Sequence, residues 1–371
     1  MRAIGIILAG GSSDMRLKEL TNSRATSAMP VGSCYRVIDF ALSNMVRSNV
    51  NKVAVITQFN SRSLHDHLNS AKWWDFGRKQ GGLFVLSPFL SQDNPFWFRG
   101  TADSIYQNMT FLRKSNEKYV VISSGDAVYK MDYRNIISKH KENGADITVV
   151  YKDLQGRDLT KLGILQMNEY GRIIEFEEKP EYPKGSLASL GIYVIERELL
   201  MNILSDAVPN GGYDFVTEFI INRLNSLNIY GYKYDGYWSS IASGIQEYYD
   251  TNMDFLKRDI REIFTKDEPY IGTKPKDEPP VKYNFNADVK NVIVGNGSII
   301  NGSVKNSVLF RRVYVGDNSS INGSIILEGC HIGNDCIIEN AILDKDVTVS
   351  NGKSIIGTIQ DPIIIKKGST V

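Results

Sequence analysis

Gly10 and Gly11 close an apolar run, Ala3 to Ala9, and Arg16 follows five residues later. Glycine has no Cβ, so backbone N–H groups at such a pair can close on a phosphate. The arginine adds a permanent charge in a planar donor fork that suits phosphate oxygens. A nearly uncharged run of this kind reads as a strand buried on both faces of a parallel sheet. Together they point to a nucleotide-binding α/β domain, although a strand–Gly-Gly turn also occurs where nothing binds. Asp126, in Ser123-Ser124-Gly125-Asp126, stands just past a second apolar run, Tyr119–Ser123. A carboxylate there can hold a divalent cation over phosphates, or merely cap a turn. Gly100-Thr101-Ala102-Asp103 reads as a helix start, whose free N–H groups and dipole favour a ligand's acceptors.

These groups sit inside longer motifs. Arg16-Leu17, Leu20-Thr21, Arg24-Ala25 and Tyr35-Arg36-Val37-Ile38-Asp39-Phe40-Ala41-Leu42-Ser43-Asn44 resemble the signature of the sugar-nucleotide pyrophosphorylases, in particular the glucose-1-phosphate adenylyltransferase family. The family loop reads Gly-Gly-x-Gly-Thr-Arg-Leu. Here Gly10-Gly11-Ser12-Ser13-Asp14-Met15-Arg16-Leu17 is one residue longer and lacks the third glycine. Where the family has Arg-Ala-Lys-Pro-Ala, this chain has Arg24-Ala25-Thr26-Ser27-Ala28, so Thr26 replaces an active-site lysine. By the same resemblance, Gly100, Thr101, Ala102 and Asp103 belong to the helix lining the nucleotide pocket, and Asp126 falls where catalytic magnesium binds. Lys179, in Phe176-Glu177-Glu178-Lys179-Pro180, matches a sugar-phosphate lysine. Ser189 and Asp214 match sugar-side segments.

One departure bears most on chemistry. Gly236-Tyr237-Trp238-Ser239-Ser240-Ile241 aligns with the family's Gly-Tyr-Trp-x-Asp-Ile, whose aspartate is the second magnesium ligand; here that place is Ser240. A neutral hydroxyl cannot replace a carboxylate's charge. Asp235 lies five residues earlier along extended chain, an odd offset that is expected to turn it to the opposite face. Arg16, Thr26, Asp126 and Ser240 are thus the degenerate remains of a catalytic set. Arg24 and Arg36 match family positions that bind anionic regulators, with Arg62 nearby, though a solvated basic face is the other reading.

The elements that position these groups alternate along the chain. Strand-like runs are expected at Ala3–Ala9, Lys52–Thr57, Tyr119–Ser123, Ile147–Tyr151 and Gly191–Ile195. Helical patterns cover Asp39–Ser48, Ser61–Asn69, Thr101–Lys114, Tyr133–Asn143 and Phe215–Ser226. This order implies a mostly parallel sheet with ligands outside the carboxyl ends of its strands. Residues 256–284, with Lys266-Asp267-Glu268-Pro269 and Lys276-Asp277-Glu278-Pro279-Pro280, read as a linker rather than a packed element. Beyond it Val294-Gly295, Val315-Gly316, Ile332-Gly333 and Val349-Ser350 recur at intervals of 21, 17 and 17 residues. That is a hexapeptide rhythm of about three hexads per coil. Acyltransferases share it, but no histidine in the repeats is placed as an acyltransferase base, and His331 is expected as an exposed turn residue.

Composition narrows the classes. Lys plus Arg, 43, nearly equals Asp plus Glu, 42, which gives no support for a nucleic-acid or anionic-membrane surface. No apolar run approaches the ~20 residues of a membrane span. Cys34, Cys330 and Cys336 read as reduced thiols of a cytoplasmic protein. The N-terminal residues carry no secretory pattern. His65 and His67, with no third ligand at zinc-like spacing, are expected at the surface.

The expected architecture is an α/β, Rossmann-like nucleotidyltransferase domain over 1–255, a linker, and a C-terminal left-handed parallel β-helix over 285–371. In the resembled family the reaction is ATP plus glucose 1-phosphate giving ADP-glucose and pyrophosphate, with Mg2+ as cofactor. The resemblance implies the regulatory, catalytically impaired subunit of this cytoplasmic enzyme of bacterial glycogen synthesis. Its partner would be a catalytic glucose-1-phosphate adenylyltransferase paralogue, in a homo- or hetero-tetramer whose contacts cover the apolar Pro362-Ile363-Ile364-Ile365 run. Two other readings stay open: a self-sufficient enzyme in which Asp214 or a water supplies the missing ligand, and a stand-alone sugar-phosphate or nucleotide sensor.

Overall fold

Ala3–Leu8, the run ahead of the glycines, is a strand hydrogen-bonded in parallel register on both edges, so that Ile6 lies beside Ala54 on one side and Ile122 on the other. Its isoleucines Ile4, Ile6 and Ile7 are at most 1% exposed, because helices cover both faces of the sheet there. The computed structural model describes residues 2–11, 16–69, 71–77, 81–89, 96–266 and 270–371. Within them the main sheet runs in the order Ile173–Glu178, Gly163–Met167, Leu187–Glu196, Tyr119–Ser124, Ala3–Leu8, Lys52–Ile56, Gly82–Leu86, with Ile147–Asp153 joined at Leu187–Glu196 and Ile229–Lys233 paired in turn to Ile147–Asp153.

The sheet is parallel only in part. From Ala3 to Tyr119 helices intervene between strands and the pairing is parallel. Between Ile147 and Glu196 no helix intervenes, and the pairings among these strands are antiparallel. Only a crossover can reverse the chain to lay strands parallel.

Two helices are shorter than their patterns suggest. Thr101–Lys114 divides at Asn108 into Thr101–Gln107 and Met109–Arg113. The Asn108 amide donates to the Ser104 carbonyl at 2.9 Å, an alternative to the helical ladder that asparagine offers. Phe215–Ser226 is α-helical only over Phe215–Phe219, followed by a 3-10 turn at Ile221–Arg223. The presumed linker is also partly packed. Arg258–Thr265 is a helix whose Phe264 is fully buried, edge-on to Phe40 at 5.1 Å.

The C-terminal part is a parallel β-helix. Ile300, Val315, Ile332 and Val349 stack in one ladder, and Val304, Ile321, Ile338 and Ile355 in a second. Val308, Ile325, Ile342 and Ile364 form the third. Corners are turned by residues of positive φ such as Asn306, Asn318, Asp335 and Asn340. These are residue types that tolerate the left-handed region. His331 is exposed but belongs to a strand, stacked on Tyr314 at 4.5 Å. Cys330 and Cys336 are buried and unpaired, and Cys34 is half-buried.

The third ladder does not face solvent. Val308, Ile325 and Ile342 share one buried cluster with Phe40, Tyr248 and Phe264 of the α/β part. An ion pair crosses the same junction. Arg24, 4% exposed, donates to both carboxylate oxygens of Asp344, itself 1% exposed, at 2.6 and 2.8 Å.

Candidate functional site

The carboxyl ends of Ala3–Leu8 and Tyr119–Ser124 open into a cleft of about 600 Å³. Gly11, Arg16, Thr26, Asp126, Lys179, Ser189 and Ser240 all line it, so the structure gathers residues spread over 230 positions of chain. A neighbouring cavity of about 350 Å³ is lined by Gly10, Gly11, Gly100, Thr101 and Asp214. Open α/β sheets bind ligands at this edge. Ser12-Ser13-Asp14-Met15 lie outside the described residues.

Asp126 and Ser240 meet across a short antiparallel pair, Ala127–Tyr129 with Trp238–Ser240. Ser240 sits opposite Ala127, and the Ile241 N–H donates to the Asp126 carbonyl at 3.1 Å. Burial pushes the Asp126 carboxyl up from its usual range, only partly offset by the Ser124 hydroxyl donating to it at 2.6 Å. Magnesium needs charged oxygen ligands that it can draw into near-octahedral geometry. Here the pair offers one half-buried carboxylate and a neutral hydroxyl, and Glu178, the other carboxylate among the described residues lining the cleft, is ion-paired to Lys179 at 2.6 Å. Among the described residues no group of three His, Cys, Asp or Glu side chains converges to hold a metal. Among the described residues the donor set is one carboxylate short of the pair that the resemblance implies. Asp235 does not compensate, since it is 77% exposed and pairs with Lys233 at 3.0 Å. Nor does Asp214, which lines the neighbouring cavity and caps Phe215–Phe219 through the Thr217 N–H at 2.9 Å.

Thr26 lies in the 3-10 turn Thr26–Ala28, is 6% exposed and lines the cleft. Its hydroxyl finds no hydrogen-bond partner among the described residues. The helix start at Thr101 is less available than its sequence suggests. The Ala102 N–H donates to the Tyr213 carbonyl at 2.8 Å, and Gly100 passes so close that a Cβ there would lie 2.3 Å from that oxygen. Ala102 and Asp103 are fully buried, and Asp103 instead receives Arg99 and Gln107 at 2.9 Å each. Neither lines the cleft or the neighbouring cavity.

Lys161 lines the cleft, and no motif marks it. It comes from the connection between Ile147–Asp153 and Gly163–Met167, a stretch that reads only as a polar loop.

Arg24 and Arg36 separate. Arg24 is held by Asp344 through Nη2, its buried Nη1 has no partner among the described residues, and it lines neither the cleft nor the cavity at Arg36, away from its expected role as a contact for a regulator. Arg36 lines a different cavity, about 210 Å³, between the α/β part and the β-helix, with Lys274, Lys276, Arg311 and Lys345. Arg36 itself donates to the Ser63 carbonyl at 2.6 Å and the Ser63 hydroxyl at 2.9 Å. Glu328 projects into this basic cavity. Burial works to raise its carboxyl, but Lys345 at 2.9 Å and Lys276 prevail and hold it at about 2. His67, expected at the surface, is 6% exposed on the same wall and bonded to Asp39 at 2.6 Å. His65 is half-buried against Thr57 at 3.1 Å. The pair occupies one short helix, Arg62–Leu68, whose inner face its sequence does not reveal.

Residues 4–258 match the family model described as nucleotidyl transferase, and residues 279–361 match that described as GlmU-like, C-terminal hexapeptide. A glucose-1-phosphate adenylyltransferase of Bacillus cytotoxicus is 35% identical over 370 residues, covering 98% of each chain. The chain belongs to the glucose-1-phosphate adenylyltransferase family. A relative of the same name from Acetivibrio thermocellus is 38% identical over 356 residues, covering 95% of this chain and 82% of its own. One from Clostridium novyi is 38% identical over 320 residues, covering 85% and 83%. Within this adenylyltransferase fold no helix among the described residues is long and apolar enough to cross a membrane.

Proposed function

We propose that this chain is the regulatory, catalytically impaired subunit of a bacterial glucose-1-phosphate adenylyltransferase, assembling with a catalytic paralogue in the cytoplasm and adjusting its kinetics. The observation that carries the reading is Ser240 beside Asp126. Nucleotidyl transfer from ATP to a sugar phosphate depends on positioning and on stabilising charge as it develops. With Thr26 for a lysine and Ser240 for a carboxylate, two charged groups of that machinery are gone. Apart from the longer loop after Gly11, the motifs around them are kept. Arg36 and the lysines around it form a basic cavity at the junction of the two parts, suited to a phosphorylated regulator. Ile241, next to Ser240, packs in the same buried cluster as the β-helix ladder, which gives that junction a route to the cleft.

The test is ADP-glucose synthesis by the purified chain, alone and with the paralogue. The expected turnover alone lies several powers of ten below an ordinary enzyme. A value within about tenfold of the typical ~10 s⁻¹ would overturn the proposal. The names of the relatives favour a second reading, a self-sufficient adenylyltransferase, and that outcome would establish it.

A further inference from the structure

We propose that the cleft binds a glucosyl phosphate without a divalent cation, with Lys161 supplying the charge that magnesium supplies in an intact enzyme. The inference rests on the cleft being catalytically degenerate, and not on assembly with a paralogue. Three observations carry it. Lys161 is placed by backbone pairing. Gly163 lies opposite Glu178 in the antiparallel ladder, and the Lys179 N–H donates to the Leu162 carbonyl at 3.2 Å. Lys161 and Lys179 therefore reach the cleft from adjacent strand ends.

The Lys161 ammonium also lies beside Gly244, four residues past the Ser240 position that lost its carboxylate. It is 3.9 Å from where a Cβ on Gly244 would sit, and the Arg16 carbonyl is equally close to that point. Gly244 ends the short turn Ile241–Ser243 that follows Ser240. The acidic groups facing Lys161 there are Glu247, whose carboxylate is 3.4 Å from the same point, and Asp158, an ion pair at 3.4 Å. Asp158 is 45% exposed, so the pair holds Lys161 weakly and leaves it available to a stronger anion. Thirdly, the Thr26 hydroxyl, nine-tenths buried on the cleft wall and without a partner, is a donor that a phosphate oxygen would satisfy. Ammonium and hydroxyl donors bind phosphate directly, without the carboxylates that a bridging metal requires.

The experiment is calorimetric titration of the full chain with glucose 1-phosphate and with ADP-glucose, each in EDTA and in excess MgCl2. The expected Kd for at least one ligand is the same within about twofold in both buffers. The two ligands distinguish a free sugar phosphate from the nucleotide sugar. A charge-assisted contact of ordinary strength predicts that Lys161→Ala weakens binding about tenfold or more. Lys161→Arg should stay within about threefold of the parent, and Lys184→Ala, an exposed lysine paired to Glu175 and Glu177, should change nothing. Melting curves confirm that each variant is folded, and Lys161→Gln serves if Lys161→Ala is not. Binding only with magnesium, binding indifferent to Lys161, or no binding of either ligand would each overturn the proposal. Turnover and co-assembly with the paralogue are read separately, so the regulatory reading stands or falls on its own measurements.

Discussion

At the scale of residues, the cleft is set by what stands beside Asp126. Ser240→Asp would put a second carboxylate in the cleft with Asp126. Like charges there repel, so this single variant should melt a few degrees lower in EDTA and recover on adding MgCl2. Combined with Thr26→Lys, it should raise ADP-glucose turnover at least tenfold over the parent, measured as pyrophosphate release. A Ser240→Asp protein indifferent to magnesium, and a double variant no faster than the parent, would remove the electrostatic account of the impairment. Elsewhere, His140 reports on burial rather than function. Removal from water lowers its pKa to about 4, with its Nδ1 2.9 Å from the Thr148 hydroxyl. The unfolded chain takes up that proton near pH 6.5 and the folded chain does not. The stabilisation from neutral His140 is therefore full above pH 6.5 and falls away as pH drops toward 4. The slope is at most about 1.4 kcal/mol per pH unit. His140→Gln should flatten the stability curve across that window, read by urea unfolding at pH 7 and pH 5.

At the scale of elements, the Arg24–Asp344 pair ties the segment entering the Thr26 turn to the β-helix. Removing one partner of a buried pair leaves the other charged and unmatched, at about 3–5 kcal/mol. Asp344→Ala should therefore lower the melting temperature by several degrees, seen by calorimetry, whereas Lys290→Ala, at an exposed pair, should shift it little. Much of the element pattern was legible from the chain. The strands Ala3–Leu8, Lys52–Ile56 and Tyr119–Ser124 are apolar runs ended by turn residues, and the 17-residue step of the β-helix is written in its valines and isoleucines. Strand direction was not legible, because a period of two is the same either way, and the antiparallel half of the sheet escaped for that reason. The site was read in the same uneven manner. Residues inside motifs, such as Asp126 and Lys179, line the cleft. Lys161 and the buried Asp344 sit where pattern says only loop or coil, and tertiary contact alone gives them a role.

At the scale of the whole molecule, exposed apolar side chains on the β-helix, among them Ile337, Ile356, Ile359 and Ile363, are the surface on which association is expected. Co-expression with a catalytic paralogue followed by light scattering should give a mass near four subunits, and a stable monomer of about 42 kDa would argue against it. In that complex Arg36→Ala should blunt the response to a phosphorylated regulator, read as a shifted activation curve with little change in basal rate. An unchanged curve would move the regulatory contact elsewhere.

The shared cluster at the junction also orders events during synthesis. Phe40 and Tyr248 belong to the part made first, yet the side chains that cover them, Val308, Ile325 and Ile342, belong to the part made last. Arg24 and Asp344 are 320 residues apart. At the usual pace of roughly 5–20 residues per second, that arginine waits roughly 15 to 65 seconds for its carboxylate. Until then that face of the α/β part is uncovered, and its aromatics are what a chaperone holding the nascent chain would meet.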